Sequence, residues 1–276
     1  MKLTTVVTIV ALFLFYTSVS AQKMSKAYEM YYLLTLKPDS NSVDSVQEMY
    51  VNTIHQGISY FRSLEERQKD SARTDAFRKT GSLISGAKAK LPYSKATYIM
   101  DAQRKKMYYQ TRVVNKVTME QPFPEVSWTL KPGTTKIGRY TCQLATGVLG
   151  GRTYNVWFST HLPFAAGPWK FNGLPGLAVR IADASGRIRF ELMGIREVPA
   201  QDQLGLNLKN YPLTRWRDYR AAADLYNEDP VAYFQKTTGL KGQFSGPEKK
   251  DKRRKTDILV VPDNFNFLLE AKEEFF

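Results

Sequence analysis

The thiol and imidazole side chains of this sequence are few: Cys142 is the only cysteine, and His55 and His161 are the only histidines. Two histidines cannot build a histidine-rich metal site. Cys142 alternates with Tyr140 and Leu144 in the stretch RYTCQLAT, and this pattern is typical of a small buried residue rather than of a nucleophile. His161 stands before Leu-Pro at the end of a predicted strand, so we expect a loop residue there.

The familiar catalytic motifs are missing from the sequence. It has no Gly-x-Ser-x-Gly elbow, no His-Glu-x-x-His pair, no Cys-x-x-Cys pair and no phosphate-binding glycine loop. Acidic residues such as Asp183, Glu191 and Glu197 are spread over predicted turns and solvent-exposed faces, so no two of them can be assigned as acid and base. We therefore predict no catalytic residues, no cofactor and no metal site.

The N-terminal residues predict export. A basic start at Lys2 is followed by an uncharged apolar stretch up to Tyr16, and small residues precede a cleavage site that we expect after Ala21. The cleavage site carries no cysteine, so we do not expect a lipoprotein. We expect a protein that is periplasmic or associated with the outer membrane. Its single cysteine rules out an internal disulfide, so a hydrophobic core must stabilise it.

The chain is strongly basic, with a formal net charge of +14. Part of this charge is local, because the run from Glu248 to Lys255 contains six basic and two acidic residues. Such a run is most often a solvated loop, and the alternative is contact of Lys249 to Lys255 with an acidic membrane surface. Nucleic acid is not expected as the partner of an exported protein.

Alternation of apolar and polar residues predicts two antiparallel hairpins in the middle of the chain. The first covers residues 139–159 and turns at a Gly-Gly pair, and the second covers residues 177–193 and turns near Gly186. On the second hairpin, Arg180 and Arg189 fall opposite the apolar residues, so we expect them to face solvent.

Local composition predicts the remaining elements. Further strands are expected at 27–36, 93–101, 105–114, 126–130 and 257–262, and a hairpin is expected at 48–63. A turn should follow at 131–133, where the sequence is Lys-Pro-Gly. The charged segment 64–80 predicts an exposed helix or an ordered loop insertion, and helices are expected around Tyr219–Tyr226 and from Asp229 onward. We thus predict a signal peptide (1–21), an antiparallel β domain (22–198) and a helical and basic C-terminal extension (199–276).

The stretch GPWKFNGLPGLAVRI combines two glycine-proline elements with bulky apolar residues just before a predicted strand. Pro175 fixes its own φ and Gly176 accepts a positive φ, so this part predicts a type II turn. The segment is either a corner that plugs one end of the core or the mouth of a concave sheet whose aromatic side chains contact a ligand. The residues of this candidate binding or structural motif are Gly167, Pro168, Trp169, Phe171, Gly173, Leu174, Pro175, Gly176 and Leu177.

A longer block around this motif resembles the signature of the GLPGLI family, which are exported proteins of Bacteroidetes-type bacteria. The block runs from EVSWTL through KIGRYTCQLATGVLGGRTYNVWFSTHLPFAAGPWKFNGLPGLAVRI. It keeps the tryptophan before the turn, the Gly-x-Tyr-x-Cys strand, the Trp-Phe strand and the glycine-proline motif in order. Ala178 stands where the family name has Ile, and His161 stands where an acidic residue is common, so any role of that acid is in doubt here.

The resemblance implies a mainly β fold, with an antiparallel curved sheet or half-barrel similar to periplasmic lipoprotein carriers and a few peripheral helices. It also implies that the protein works beside outer-membrane uptake receptors. It says little about any reaction. We therefore predict a non-catalytic binding or accessory protein of the bacterial envelope, with an apolar ligand or an outer-membrane receptor protein as its partner. An uncharacterised enzyme and a structural envelope protein with no ligand are the alternatives.

Overall fold

The computed structural model describes residues 26–37, 45–71, 95–200 and 211–239. In these described segments, eleven strands form one antiparallel sheet that is not closed, with three short helices, so the predicted mainly β fold class is confirmed. The strands are β1 (Lys26–Leu36), β2 (Val46–His55), β3 (Ile58–Ser63), β4 (Thr97–Asp101), β5 (Lys106–Arg112), β6 (Lys116–Gln121), β7 (Thr129–Ile137), β8 (Tyr140–Leu149), β9 (Arg152–Ser159), β10 (Leu177–Asp183) and β11 (Ile188–Pro199). The helices are α1 (residues 64–71), α2 (Trp216–Glu228) and α3 (Pro230–Thr238).

The sheet consists of two meanders that meet at its centre. The strand order is β6-β5-β4-β3-β2-β1-β11-β10-β9-β8-β7, so the first and the last of the described strands are neighbours. β6 and β7 are the two edge strands. Residues 212–214 cover part of the β6 edge, because the Thr118 amide donates to the Pro212 carbonyl at 2.8 Å and the Thr214 amide donates to the Thr118 carbonyl at 2.8 Å.

The two faces of the sheet differ because side chains alternate along each strand. On β1, Met30, Tyr32 and Leu34 belong to the hydrophobic core, and we call their side the inner face. Glu29 and Tyr31 lie on the opposite, outer face. Aromatic side chains dominate the core on the inner face, and its largest buried rings include Phe61, Tyr98, Tyr109, Phe158 and Phe190.

The helices pack on different faces of the sheet. Tyr219 and Ala223 of α2 are buried in the core, and Trp216 meets the Tyr109 ring with 5.2 Å between centroids. On the outer face, α1 reaches β1 through an ion pair between Arg67 and Glu29. Among the described residues, no helix combines the length and apolar character needed to cross a bilayer.

Most of the predicted strands and turns are confirmed. The hairpin at 48–63 turns at Gln56 and Gly57, which both have positive φ, and the two central hairpins turn near Gly150 and Gly186 as expected. Arg180 and Arg189 are exposed, also as predicted. The helix around Tyr219–Tyr226 and the second helix after Asp229 are present.

The turn predicted at 131–133 is wrong. Strand β7 continues through these residues, and its pairing with β8 shifts between Leu130 and Thr134. A β-bulge at a sheet edge tolerates proline, which donates no hydrogen bond, and Gly133 accepts the φ of +82° found there. The short strand β6 was not predicted from the sequence.

Several predictions fall on other parts of the chain. The signal peptide at 1–21, the basic run at 249–255 and the strand at 257–262 lie outside the described residues. Within the described part of segment 64–80, α1 is helical, but Glu66 is only 4% exposed and is paired with Arg112. The helix is therefore less exposed than its composition predicts.

Candidate functional site

The glycine-proline motif forms a buried corner between β9 and β10. Trp169 and Phe171 each expose 1% of their surface, and Leu174 and Leu177 are also buried in the core. The Phe171 ring packs edge-on against Tyr154, with 4.8 Å between centroids. These apolar side chains are therefore enclosed by the protein, while Gly173 and Pro175 lie at the surface.

Buried polar side chains from the other half of the sheet hold the corner in place. The amide nitrogen of Asn52 on β2 donates to the Gly167 carbonyl at 2.8 Å, and the Ser59 hydroxyl donates to the Asn52 amide oxygen at 2.7 Å. The Tyr32 hydroxyl on β1 donates to the Ala178 carbonyl at 2.8 Å. Each bond supplies a donor to a carbonyl in a buried region. No local sequence pattern indicates these anchors.

The type II turn predicted for this motif is wrong. Gly176 does not have the positive φ which that turn requires at its third position, and the positive φ lies instead at Gly173, with +81°, and at Trp169, with +53°. Gly176 is needed for space, because a Cβ there would lie 2.1 Å from the Ser159 carbonyl oxygen. The close approach of two backbone segments thus explains this glycine.

The corner also fixes the segment that leads into β7. The indole nitrogen of Trp128 donates to the Asn172 carbonyl at 2.7 Å, and the Asn172 side-chain amide donates to the Pro124 carbonyl at 3.0 Å. Trp128 packs over Gly147 of β8, where a Cβ would lie 2.7 Å from the indole ring. The motif and the EVSWTL block, which are far apart in sequence, therefore form one unit.

An open groove of about 370 Å³ lies against this unit. In the segment Glu125–Thr129, successive side chains point to opposite sides. Val126 and Trp128 approach Gly147. Glu125, Ser127 and Thr129 line the groove. The whole lining consists of Glu125, Ser127, Thr129, Thr146, Gly147, Val148 and Thr153.

Strand register builds the floor of the groove. Thr129 pairs with Thr146, and Val148 pairs with Thr153, so these four side chains lie on the outer face of neighbouring strands. Within the described part of the chain, none of the groove's hydroxyls and carboxylate takes part in a side-chain hydrogen bond or an ion pair. The groove thus presents hydroxyl groups and one carboxylate that are available to a bound molecule.

A second polar cluster on the outer face is fully engaged. Glu29 is 3% exposed, and its carboxylate receives Arg67 at 2.6 Å, Arg196 at 2.7 Å and the Tyr31 hydroxyl at 2.5 Å. Burial alone would raise the pKa of Glu29, but the hydrogen bonds from Arg67, Tyr31 and Arg196 outweigh it and lower the pKa to about 2. This cluster ties β1, β11 and α1 together.

The acidic residues that sequence analysis considered for catalysis are also paired. Asp183 is buried, which corrects its expected place on a solvent-exposed turn, because it accepts a hydrogen bond from the Ile188 amide at 2.9 Å and pairs with Arg152 at 3.3 Å. Glu191 pairs with Arg180 at 3.2 Å. These carboxylates lie in structural ion pairs, and the structure does not bring them together as an acid and a base.

The thiol and imidazole groups have the positions that the sequence predicts. Cys142 is buried on β8, and burial raises the pKa of its thiol, which disfavours the reactive thiolate. His161 lies in an exposed loop after β9. The residues that the structure describes contain no group of three or more His, Cys, Asp or Glu side chains that could hold a metal ion.

Comparisons with known proteins show a shared fold. No family model and no curated protein matches the chain. PNGF-II is similar in two crystal forms, with TM-scores of 0.51 and 0.52 and 14% and 15% identity over 71% of this chain. The match spans about a third of PNGF-II, 33% and 32% of its length in the two forms. MucB in complex with MucA(peri) aligns over 68% of this chain and 57% of MucB, with 8% identity and a TM-score of 0.26.

Proposed function

We propose that this chain is an exported, non-catalytic binding or accessory protein of the bacterial envelope, with its binding surface beside the glycine-proline corner. The observation that carries the proposal is the groove against the Glu125–Thr129 segment, whose polar side chains converge without partners among the described residues. Ligand sites are concave and contain a few well-placed polar groups, and their volumes of about 300–1,000 Å³ include that of this groove.

Two further observations support this choice. First, Cys142 is buried and Asp183 is held by Arg152 and the Ile188 amide, so neither is presented for nucleophilic or acid–base catalysis. Second, hydrogen bonds from across the sheet hold the corner in place, and this favours a preorganised binding surface. The resemblance to the GLPGLI family supports export and an envelope location, where an outer-membrane receptor is a suitable accessory partner.

The position of the motif changes which ligand we propose. A carrier of apolar ligands would use exposed aromatic side chains, but Trp169 and Phe171 are enclosed. We therefore assign the motif a supporting role and place binding in the adjacent groove.

Native mass spectrometry of the full chain, purified gently from its own envelope, tests this function. We expect a mass above that of the processed chain, from a small molecule or a protein that is released by denaturation and identified after aqueous and organic extraction. A bare chain in every preparation would contradict the proposal and favour a structural envelope protein with no ligand. A bound molecule that is chemically converted would favour an enzyme.

A further inference from the structure

The charge of the groove restricts the chemistry of its ligand. Among the residues that the structure describes, no lysine or arginine lines the groove. Phosphate, sulfate and carboxylate groups are bound mainly by arginine, lysine or oriented backbone amides. A site whose charged group is Glu125 is therefore unsuited to an anionic ligand.

The hydrogen-bonding groups of the groove favour a ligand that is itself rich in hydroxyls. Each Ser or Thr hydroxyl can donate one hydrogen bond and accept others, and an ionised carboxylate only accepts. Thr146, Thr153 and Thr129 supply such hydroxyls from three strands, and Glu125 supplies the acceptor. Vicinal hydroxyls of a sugar ring both donate and accept, so they match this set.

An apolar side chain completes the match. Val148 is 57% exposed at the groove and lies between Thr146 and the Gly-Gly turn. Sugar rings carry C–H groups between their hydroxyls, and a branched aliphatic side chain provides a surface for them. The floor is preorganised because it is made of paired strands, and the wall is fixed through Trp128 and Asn172.

We infer that this groove binds a neutral saccharide through Thr146, Thr153 and Glu125. This inference rests on the proposed binding function and specifies its ligand class. The corner motif does not touch the sugar, since it acts by holding the Pro124–Trp128 segment against β8.

The test is an array of neutral oligosaccharides, built from hexoses, pentoses and N-acetylhexosamines, with sulfated oligosaccharides alongside. The full chain is applied as wild type, Thr146→Val and Glu125→Gln. Thr135→Val is the matched control, because Thr135 lies on the same face of β7 but outside the groove. Thermal unfolding of each variant checks that it is folded.

We expect the wild type to bind at least one neutral oligosaccharide. Thr146→Val and Glu125→Gln should each weaken this binding about five- to tenfold, the effect of losing one hydrogen bond, and Thr135→Val should leave it unchanged. Failure to bind any neutral oligosaccharide would overturn the inference, as would equal loss in the Thr135→Val control. Binding of sulfated oligosaccharides alone would also overturn it. If native mass spectrometry instead finds a lipid, peptide or protein that Thr146→Val retains, the saccharide inference fails while the binding function stands.

Discussion

Two polar regions lie on the outer face of this sheet. The polar side chains of one are hydrogen-bonded within the protein, and those of the other are not bonded to any described residue. Around Glu29, every oxygen of a buried carboxylate has a partner. Around Glu125, a carboxylate and several hydroxyls converge and make no hydrogen bond or ion pair within the described part of the chain. Paired polar groups here join structural elements, whereas those without a described partner mark the surface that we assign to binding.

The corner beside the groove resembles the Glu29 cluster, because its polar groups also serve the fold. Its aromatic side chains are enclosed, and its carbonyls are satisfied by Asn52 and Tyr32. Variants of the corner should therefore change stability, and variants of the groove should change binding. The predictions below test this separation, from the largest expected effect on stability to the smallest.

Phe171→Ala should have the largest effect. Removing a fully buried ring that packs on Tyr154 and Phe190 leaves a cavity, and such a change costs about 3–5 kcal/mol of unfolding free energy. Denaturant unfolding measures the loss, and Met193→Ala is the control, since Met193 is 60% exposed. If both variants lose the same free energy, the corner is not part of the core.

Gly176→Ala should follow at about 3 kcal/mol, because its Cβ would overlap the Ser159 carbonyl oxygen and force backbone apart. Gly194→Ala is matched to it, since no atom lies within 4 Å of a Cβ at that position. Thermal unfolding should show a lower Tm for the first variant only. A similar Tm for both would contradict the close approach of β9 and β10 at this point.

Glu29→Gln should cost about 1–3 kcal/mol at pH 7, because Arg67 loses its charged partner. The folded-state pKa of Glu29 is lowered from its ordinary value of 4.5 to about 2, so its contribution is present above pH 4.5 and is lost as the pH falls towards 2. Denaturant unfolding across this range should give a steeper pH dependence for the wild type than for the variant.

The matched control for Glu29→Gln is Glu197→Gln, because Glu197 pairs with Lys26 at the surface. Exposed ion pairs are screened by water and salt, so this variant should change stability little. Equal losses from both glutamates would show that the Glu29 cluster is no more structural than a surface pair.

Thr146→Val should have the smallest effect on stability, within about 0.5 kcal/mol, because valine suits a strand and the hydroxyl has no described partner. Denaturant unfolding checks this value. A loss above about 1 kcal/mol would mean that the hydroxyl supports the fold. The groove would then resemble the Glu29 cluster.

Much of the fold could be predicted from the sequence because strand alternation is a local signal. Tyr154, Val156 and Phe158 alternate with less buried residues, and the sheet buries them as that pattern indicates. Cys142 is buried too, but it lies on the outer face with Thr146 and outside the hydrophobic core, so alternation with the core does not explain its burial. The edge strand β7 was misjudged, because a Pro-Gly pair is usual in turns and also occurs in bulges at sheet edges.

The candidate site could not be predicted because its parts meet only through long-range contacts. Asn52 and Gly167 are 115 residues apart in sequence, and Tyr32 and Ala178 are 146 residues apart. The groove depends on register, since Thr129 and Thr146 become neighbours only when β7 pairs with β8. Nothing in the local sequence around a threonine indicates such a neighbour.

The separation of the corner from the groove is tested most directly by native mass spectrometry of wild type and Thr146→Val, both purified from the same envelope. Our account predicts that the variant keeps the wild-type Tm and loses most of the bound molecule. A variant that retains the molecule as fully as wild type, or a wild type that carries none, would contradict it.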